Sequence, residues 1–308
     1  THYASFIVYL GIFHQAMTYL RLMKYPGAKT VMLPDLIGII GRSRCNTVVD
    51  VFGGSGLISL NLERVAIVYN DVDPGLYNLF LQIHNQPVKL KHLIRQRMDD
   101  LYHPGGKSIL QNRRRNELAR REFVGSDRHG NLPSPGNGPD PLAYAAETLL
   151  RFNSTFGGLG ETYSTDREKS PARNIEKTLE IFDQVALKVR NWRIENLDFR
   201  TLIPKYDAGD VLFYLDPPYP GKKWYNFNFR IQDFHLLKDL MDQIKGHYIL
   251  NIDDDIPAMT RIFGDPTFTR SYPNRNMAQE TRSREERRKA FYLNFLDDMG
   301  FRQHKDSG

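Results

Sequence analysis

The sequence predicts an α/β fold whose body is a parallel, doubly wound sheet. The first observation is a β-branched run at 47–51, which ends in a glycine cluster and precedes an apolar helical pattern from Leu57. The second is a buried-type strand at 65–69, followed by Pro74, a residue that is favourable at the first position of a helix. Two strands joined by a short helical crossover indicate a parallel sheet.

Later segments extend this pattern toward the carboxyl terminus. An apolar run at 211–215 has the composition of a buried central strand. Further strands are expected at 248–252 and 291–295, with a helix at 234–244 between them. These segments are expected to complete the same sheet.

A basic region from about Leu90 to Arg190 interrupts this body. Residues 107–121 are rich in arginine and have helical character, whereas residues 125–141 are crowded with glycine and proline, as in a mobile loop. A further helix is expected at 173–190.

The expected domain boundaries follow from this change in composition. Residues 23–90 and 191–308 are expected to form one α/β domain, and residues 91–190 an inserted region. Residues 1–22 precede this domain as an N-terminal extension. Either the functional body begins near Met23, or the extension is an amphipathic helix packed on the domain.

The composition narrows the class of protein. The 308 residues carry a net charge of +6 and have a pI near 9.2, which suits a partner rich in phosphate. The single cysteine, Cys45, excludes an internal disulfide framework and a cysteine-rich zinc site, and it fits a reducing cytoplasm. Because no stretch is long enough to span a bilayer and no signal peptide is recognisable, we expect a cytoplasmic protein without a membrane partner.

The strand at 211–215 is followed by an acidic residue, two prolines and an aromatic residue, Asp216-Pro217-Pro218-Tyr219. Ligands of open α/β sheets bind beyond the carboxyl ends of the strands. Prolines lack an N–H and have a fixed φ, so this loop presents carbonyl groups on a stiff backbone. Asp216 and a loop carbonyl could accept hydrogen bonds from an exocyclic amine, while Tyr219 offers a face on which a base can stack. The alternative is a proline-rich turn capped by an aspartate.

The glycine cluster lies in the segment Asp50-Val-Phe-Gly-Gly-Ser-Gly56. Glycines let the backbone approach a ligand closely, and the helix that follows offers free N–H groups for a carboxylate. The segment is not a P-loop, because no Gly-Lys-Ser/Thr follows, and it lacks the dinucleotide G-x-G-x-x-G spacing. A nucleotide-dependent dehydrogenase or ATPase is therefore poorly supported.

Two further segments carry candidate ligand-binding residues. Asp71 follows the second strand, where an acidic side chain can accept both ribose hydroxyls of a nucleoside. The alternative is a helix cap within the turn at 70–74. In the segment Lys24-Tyr-Pro-Gly-Ala-Lys29, a tight turn could bring an aromatic ring and a lysine toward one ligand.

These four segments, in this order, resemble the DNA adenine-N6 methyltransferases of the deoxyadenosine-methylase type, in the alpha group of amino-methyltransferases. The resemblance covers about Met23 to Phe295, and Asp-Pro-Pro-Tyr is its most specific motif. It implies a Rossmann-like S-adenosylmethionine-dependent methyltransferase sheet with an inserted, mostly helical target-recognition domain. It also implies S-adenosyl-L-methionine as the cofactor, no metal, and double-stranded DNA as the partner.

The resemblance assigns roles to individual positions. Asp216, Pro217 and Tyr219 would be catalytic, holding the target amine. The implied cofactor-binding residues are Tyr25, Lys29, Asp50, Phe52, Gly54, Ser55, Asp71, Asp198, Phe199 and Asp216. Gly53 stands at a position that varies freely in the family.

Two clusters of arginine are candidates for contact with DNA. The first lies at 113–121 within the predicted insertion, and the second extends from Arg270 to Arg288. Arginine side chains can bind phosphates or read guanine edges, but each cluster could also be a solvated charged face.

Other functions stay open at this point. The same chemistry could act on adenine in RNA or on N4 of cytosine in DNA, or the chain could be a non-catalytic DNA-binding protein on the same fold. A restriction endonuclease is a candidate partner for a DNA methyltransferase of this kind.

Overall fold

The strands of the protein form one sheet. The computed structural model describes residues 19–25, 30–102, 140–154, 171–218, 229–254, 256–273 and 286–295. Its strands are β1 (Thr47–Asp50), β2 (Ala66–Asn70), β3 (Arg193–Glu195), β4 (Val211–Leu215), β5 (His247–Asp253), β6 (Phe268–Pro273) and β7 (Glu286–Leu293). The order across the sheet is β3-β2-β1-β4-β5-β7-β6. The first five strands pair in parallel, whereas β7 is antiparallel to β5 and to β6.

The helices precede or connect these strands. They are α1 (Leu33–Arg42), α2 (Leu57–Leu60), α3 (Pro74–Asn85), α4 (Pro87–Tyr102), α5 (Pro141–Ser154), α6 (Pro171–Val189), α7 (Phe199–Tyr206), α8 (Ile231–Met241) and α9 (Pro257–Phe263). None of these described helices is both long and apolar enough to cross a bilayer.

Both faces of the sheet are buried because side chains alternate along each strand. Val48 and Leu212 point into a core shared with α1 to α6, whereas the next residues, Val49 and Phe213, point into a second core shared with α7 to α9. The result is a three-layer α/β/α body, so the predicted α/β class with a doubly wound sheet is confirmed, while the inserted recognition domain stays a prediction.

Several predicted elements are shifted at their ends. The strand expected at 291–295 begins earlier, as β7, because its first residues pair with β6 and with the end of β5. The helix expected from Leu57 is a single turn. It ends where the Asn61 amide donates hydrogen bonds to the carbonyl oxygens of Leu57, at 2.7 Å, and of Leu20, at 2.9 Å.

Two helices from the predicted insertion pack directly on the sheet-bearing body. Residues of α5 and α6, including Ala146, Leu149 and Phe182, belong to the same buried core as α3. The boundaries at 91 and 190 stay a prediction. The arginine-rich segment at 107–121 and nearly all of the loop at 125–141 lie outside the described residues.

Residues just before the predicted domain start are also part of the core. Leu22 is buried, and its carbonyl oxygen accepts a hydrogen bond from the Thr178 hydroxyl of α6 at 3.0 Å. The Leu20 N–H donates to the Asn61 side chain at 2.8 Å. Residues 1–18 lie outside the described ranges.

Candidate active site

The predicted acidic residues meet at one edge of the sheet. In the parallel register, Asp50 at the end of β1 lies between Tyr69 of β2 and Tyr214 of β4. Asp71 and Asp216 follow those two tyrosines by two residues and therefore emerge on either side of Asp50. In the sheet, β2 lies on one side of β1 and β4 lies on the other, so the strand order changes direction at β1. Open α/β sheets bind ligands at such a topological switch point, at the carboxyl ends of the strands.

The loop between β1 and α2 needs its glycines for two different reasons. Gly54 and Gly56 have φ angles of 52° and 66°, which residues other than glycine rarely adopt. A Cβ atom on Gly54 would also lie 2.8 Å from the Tyr25 ring. Gly53 has an ordinary φ, but a Cβ atom there would overlap the ring of Tyr69. Position 53 is therefore not free to vary in this chain.

Asp71 joins the glycine loop to the loop after β2. One of its carboxylate oxygens accepts the Gly54 N–H at 2.8 Å, and the other accepts the Asp73 N–H at 2.8 Å. Burial, together with the negative charge of Asp73, raises the pKa of Asp71 to about 7 despite these two hydrogen bonds. Helix α3 is capped by Asp73, which accepts the N–H of Gly75 at 2.8 Å, so the cap in this turn is Asp73.

Asp50 is a buried residue at the base of the site. Its carboxylate accepts a hydrogen bond from the Ser59 hydroxyl of α2 at 2.6 Å. Burial raises the pKa of Asp50 to about 7, and the negative charge of Asp216 adds to this increase. Asp50 therefore anchors the helix after the glycine loop and lies close enough to Asp216 for their charges to interact.

Two asparagines, which the sequence interpretation missed, hold the neighbouring loops together. The Asn70 amide donates to the carbonyl oxygens of Val51 at 2.8 Å and Leu197 at 3.0 Å, and its oxygen accepts the Leu197 N–H at 2.8 Å. Asn196 donates to the Asp71 carbonyl oxygen at 2.7 Å. The only sequence signal was an asparagine at the end of a buried strand, directly before Asp71.

Asp216 and Pro217 form the start of the loop after β4. Asp216 is partly exposed at the sheet edge, and Pro217 is buried. Tyr219 lies outside the described residues, as does Lys29. The structure thus brings Asp216 to the same edge as Asp50 and Asp71.

Aromatic residues line the flanks of the glycine loop. Tyr25 contacts the loop at Gly54 on one side and packs against Phe152, with ring centroids 5.2 Å apart. On the other side, Phe52 packs against Phe199 at 6.0 Å and against Phe229 at 5.3 Å. Ser55 is buried within the loop.

The predicted pair Asp198 and Phe199 lies at the start of α7. Asp198 caps this helix by accepting the Arg200 N–H at 2.9 Å, and Arg200 forms ion pairs with both Asp198 and Asp233. Phe199 is buried beside Phe52. Phe199 therefore adjoins the glycine loop through Phe52, and Asp198 begins the helix beside it.

The chemistry of this edge suits a nucleoside that carries a positive charge. Asp71 and Asp216 supply acceptors for hydroxyl groups and negative potential, the glycine loop permits close backbone approach, and aromatic rings flank the space. These features fit S-adenosyl-L-methionine. Among the described ranges, no group of three or more histidine, cysteine or acidic side chains is arranged to hold a metal ion.

Comparison with known proteins identifies a similar curated protein and a family profile. The modification methylase StsI of Streptococcus sanguinis is 24% identical over 247 residues, which cover 74% of this chain. The chain spans only 34% of the length of that protein. Residues 25–279 match the profile of the D12 class N6 adenine-specific DNA methyltransferases. Because this match extends from Tyr25 through the Asp-Pro-Pro-Tyr loop and covers most of the sequence, the chain belongs to the D12 class N6 adenine-specific DNA methyltransferase family.

Proposed function

We propose that this protein transfers a methyl group from S-adenosyl-L-methionine to N6 of adenine at specific sites in double-stranded DNA. The observation that carries the proposal is the position of Asp216 and Pro217 at the tip of β4, directly beside the glycine loop that follows β1. A ligand on the loop and a base at Asp216 would meet at this edge of the sheet. The family assignment supports the same reaction.

The Asp216 carboxylate and the Pro217 carbonyl oxygen each accept one hydrogen bond from the two N–H groups of the adenine amine. These bonds reduce the conjugation of the nitrogen lone pair with the ring and direct that lone pair toward the methyl carbon that is to be transferred. When bound, S-adenosyl-L-methionine supplies an electrophilic methyl group. The protein mainly provides alignment. The C–N bond would form as the methyl–sulfur bond breaks and S-adenosyl-L-homocysteine leaves, and the cationic N6 would then release its extra proton to water.

The cofactor is proposed to lie along the glycine loop. Asp71 would accept hydrogen bonds from the ribose hydroxyls. It would use the carboxylate lone pairs that are not engaged by its two backbone hydrogen bonds. The remaining proposed contacts come from Tyr25, Lys29, Asp50, Phe52, Gly54, Ser55, Asp198 and Phe199.

The amine of adenine is buried within a duplex, so the base must leave the stack to reach Asp216. Tyr219 is proposed to stack on the extruded base. Contacts with phosphates and neighbouring bases are proposed for the two arginine clusters, most of whose residues lie outside the described ranges.

Methyl transfer from labelled cofactor to duplex DNA, single-stranded DNA and RNA, assayed in parallel, tests the substrate. Mass spectrometry of the digested product separates N6-methyladenine from N4-methylcytosine. Asp216→Ala should abolish transfer, whereas Asp210→Ala should not, because Asp210 is exposed at the opposite end of β4. Unchanged turnover by Asp216→Ala would rule out the proposed mechanism.

The name of the similar protein, a modification methylase, supports a role in a restriction-modification system with a restriction endonuclease as partner. DNA from cells that express the protein should then resist one endonuclease that cuts the same DNA from control cells. Sequencing of modified adenines in that DNA would identify the recognition site.

A further inference from the structure

Two polar side chains, those of Tyr214 and Asn251, are buried beneath the Asp216 loop. Tyr214 on β4 is 2% exposed, and Asn251 on β5 is fully buried. Within the part of the chain that the structure describes, neither the Tyr214 hydroxyl nor either polar atom of the Asn251 amide has a hydrogen-bond partner of good geometry. Buried polar groups of this kind are rare in folded proteins and often mark a functional site.

The sheet register places both side chains beside Asp216. Tyr214 pairs with Ile249 across the parallel strands β4 and β5, so Asn251 is level with Asp216. Since side chains alternate along a strand, Asn251 lies on the same face as Ile249, which shares a core with Tyr214. Both polar side chains therefore lie at the carboxyl ends of their strands, on the face shared by Tyr214 and Asp216.

The charges around Tyr214 favour its role as a hydrogen-bond donor. Burial raises its pKa well above the ordinary value, and the negative charges of Asp216 and Asp50 raise it further. The hydroxyl therefore keeps its proton throughout the neutral range. A protonated hydroxyl next to two carboxylates is placed to donate toward them.

Burying such groups without good hydrogen bonds is unfavourable. Phenylalanine at 214 and leucine at 251 would fill similar volumes without this penalty. A purely structural role does not explain polar atoms at both positions, whereas a role in holding the nearby carboxylate does.

We propose, on the basis of the methyl transfer proposed above, that Tyr214 and Asn251 are positioning residues that orient Asp216 from its buried side. The Tyr214 hydroxyl donates toward the Asp216 carboxylate, and the Asn251 amide holds that hydroxyl in place. Asp216 then keeps the orientation in which it accepts a hydrogen bond from the adenine amine, without either residue contacting DNA or cofactor.

Tyr214→Phe tests this role because it removes only the hydroxyl. We expect kcat for methyl transfer to fall on the order of 10-fold or more, because small errors in alignment slow a transfer reaction strongly. The KM for DNA and the Kd for the cofactor should change less than about twofold. The melting temperature should change little, because phenylalanine keeps the packing of the buried ring and only the hydroxyl is lost. Asn251→Leu should give the same pattern.

Tyr292→Phe is the matched control. Tyr292 is also buried, but it lies on the opposite face of the sheet, and its hydroxyl donates to the Gly264 carbonyl oxygen at 3.2 Å. This variant should lose stability and keep the normal kcat.

Two results with Tyr214→Phe would overturn the positioning role: a normal kcat, or a fall in kcat that only accompanies an equal loss of folded protein. Neither result affects the proposed function, provided that the wild-type protein methylates DNA in the same assay. An inactive wild-type protein would instead contradict the proposed function, and the positioning role with it.

Discussion

The Asp71 carboxylate accepts the backbone N–H of Gly54 at 2.8 Å, across a sequence separation of 17 residues. This hydrogen bond fixes the loop after β2 to the glycine loop after β1. The same carboxylate accepts the N–H of Asp73, so it also shapes the entry to α3. One side chain therefore holds three backbone segments of the candidate cofactor site in register.

Asp71→Ala and Asp73→Ala should separate cofactor binding from helix capping. Asp71→Ala leaves two backbone N–H groups without their acceptor and removes the proposed ribose contact, so the Kd for the cofactor should rise on the order of 10-fold or more. Asp73→Ala removes the cap of α3 and should lower stability by about 0.5–2 kcal/mol with little change in that Kd. Calorimetric titration and urea unfolding measure the two effects. Equal affinities for the two variants would contradict the ribose role.

Gly54→Ala should destabilise the protein and weaken cofactor binding together. The φ angle of 52° is unfavourable for alanine by about 1–2 kcal/mol, and the added Cβ atom would press on the Tyr25 ring. Gly38→Ala is the control, because no neighbouring side chain lies within 4 Å of a Cβ atom there and alanine favours the α1 helix. Thermal melts and cofactor titration of both variants provide the check; a stable, tightly binding Gly54→Ala protein would show that the loop tolerates a side chain.

The contribution of Asp50 and Asp71 to stability should fall as pH rises from about 4 to about 7. The pKa values of Asp50 and Asp71 are raised from 3.8 to about 7, so in this window the folded chain holds protons that the unfolded chain has lost. Each pKa unit corresponds to about 1.4 kcal/mol. The Asp50→Asn variant has no ionisable group at position 50. Its free energy of unfolding, measured by urea unfolding, should therefore decline less steeply between pH 5 and pH 7 than that of the wild-type protein. Parallel curves for the two proteins would mean that Asp50 does not titrate in this range.

Asp198→Ser should keep the helix cap and lose the carboxylate. Serine caps helices about as well as aspartate, so the free energy of unfolding should change by less than about 1 kcal/mol, whereas Asp198→Ala should lower it by roughly 1 kcal/mol. If the carboxylate contacts the cofactor, both variants should raise the cofactor Kd by a similar factor. If the Asp198→Ser variant binds the cofactor with normal affinity, the role of Asp198 is to cap the helix.

Local sequence patterns predicted those elements whose secondary structure is encoded by neighbouring residues. The β-branched run before the glycine cluster predicted β1, the five apolar residues before Asp216 predicted β4, and Pro74 marked the start of α3. Elements without such local signals were missed, including β3, which has three residues and only partial burial, and β6, which pairs only with β7 at the sheet edge.

The sequence alone predicted the side chains proposed to carry the chemistry, because the Asp-Pro-Pro-Tyr loop, the glycine loop and Asp71 are each recognisable from adjacent residues. The tertiary structure decided how these segments are held. It showed that Asp71 bonds to Gly54 while Asp73 caps the helix, that Tyr69 excludes a side chain at Gly53, and that Asn70 joins three loops. Such relationships depend on strand order and register, which bring together residues far apart in the chain, and no local pattern encodes them.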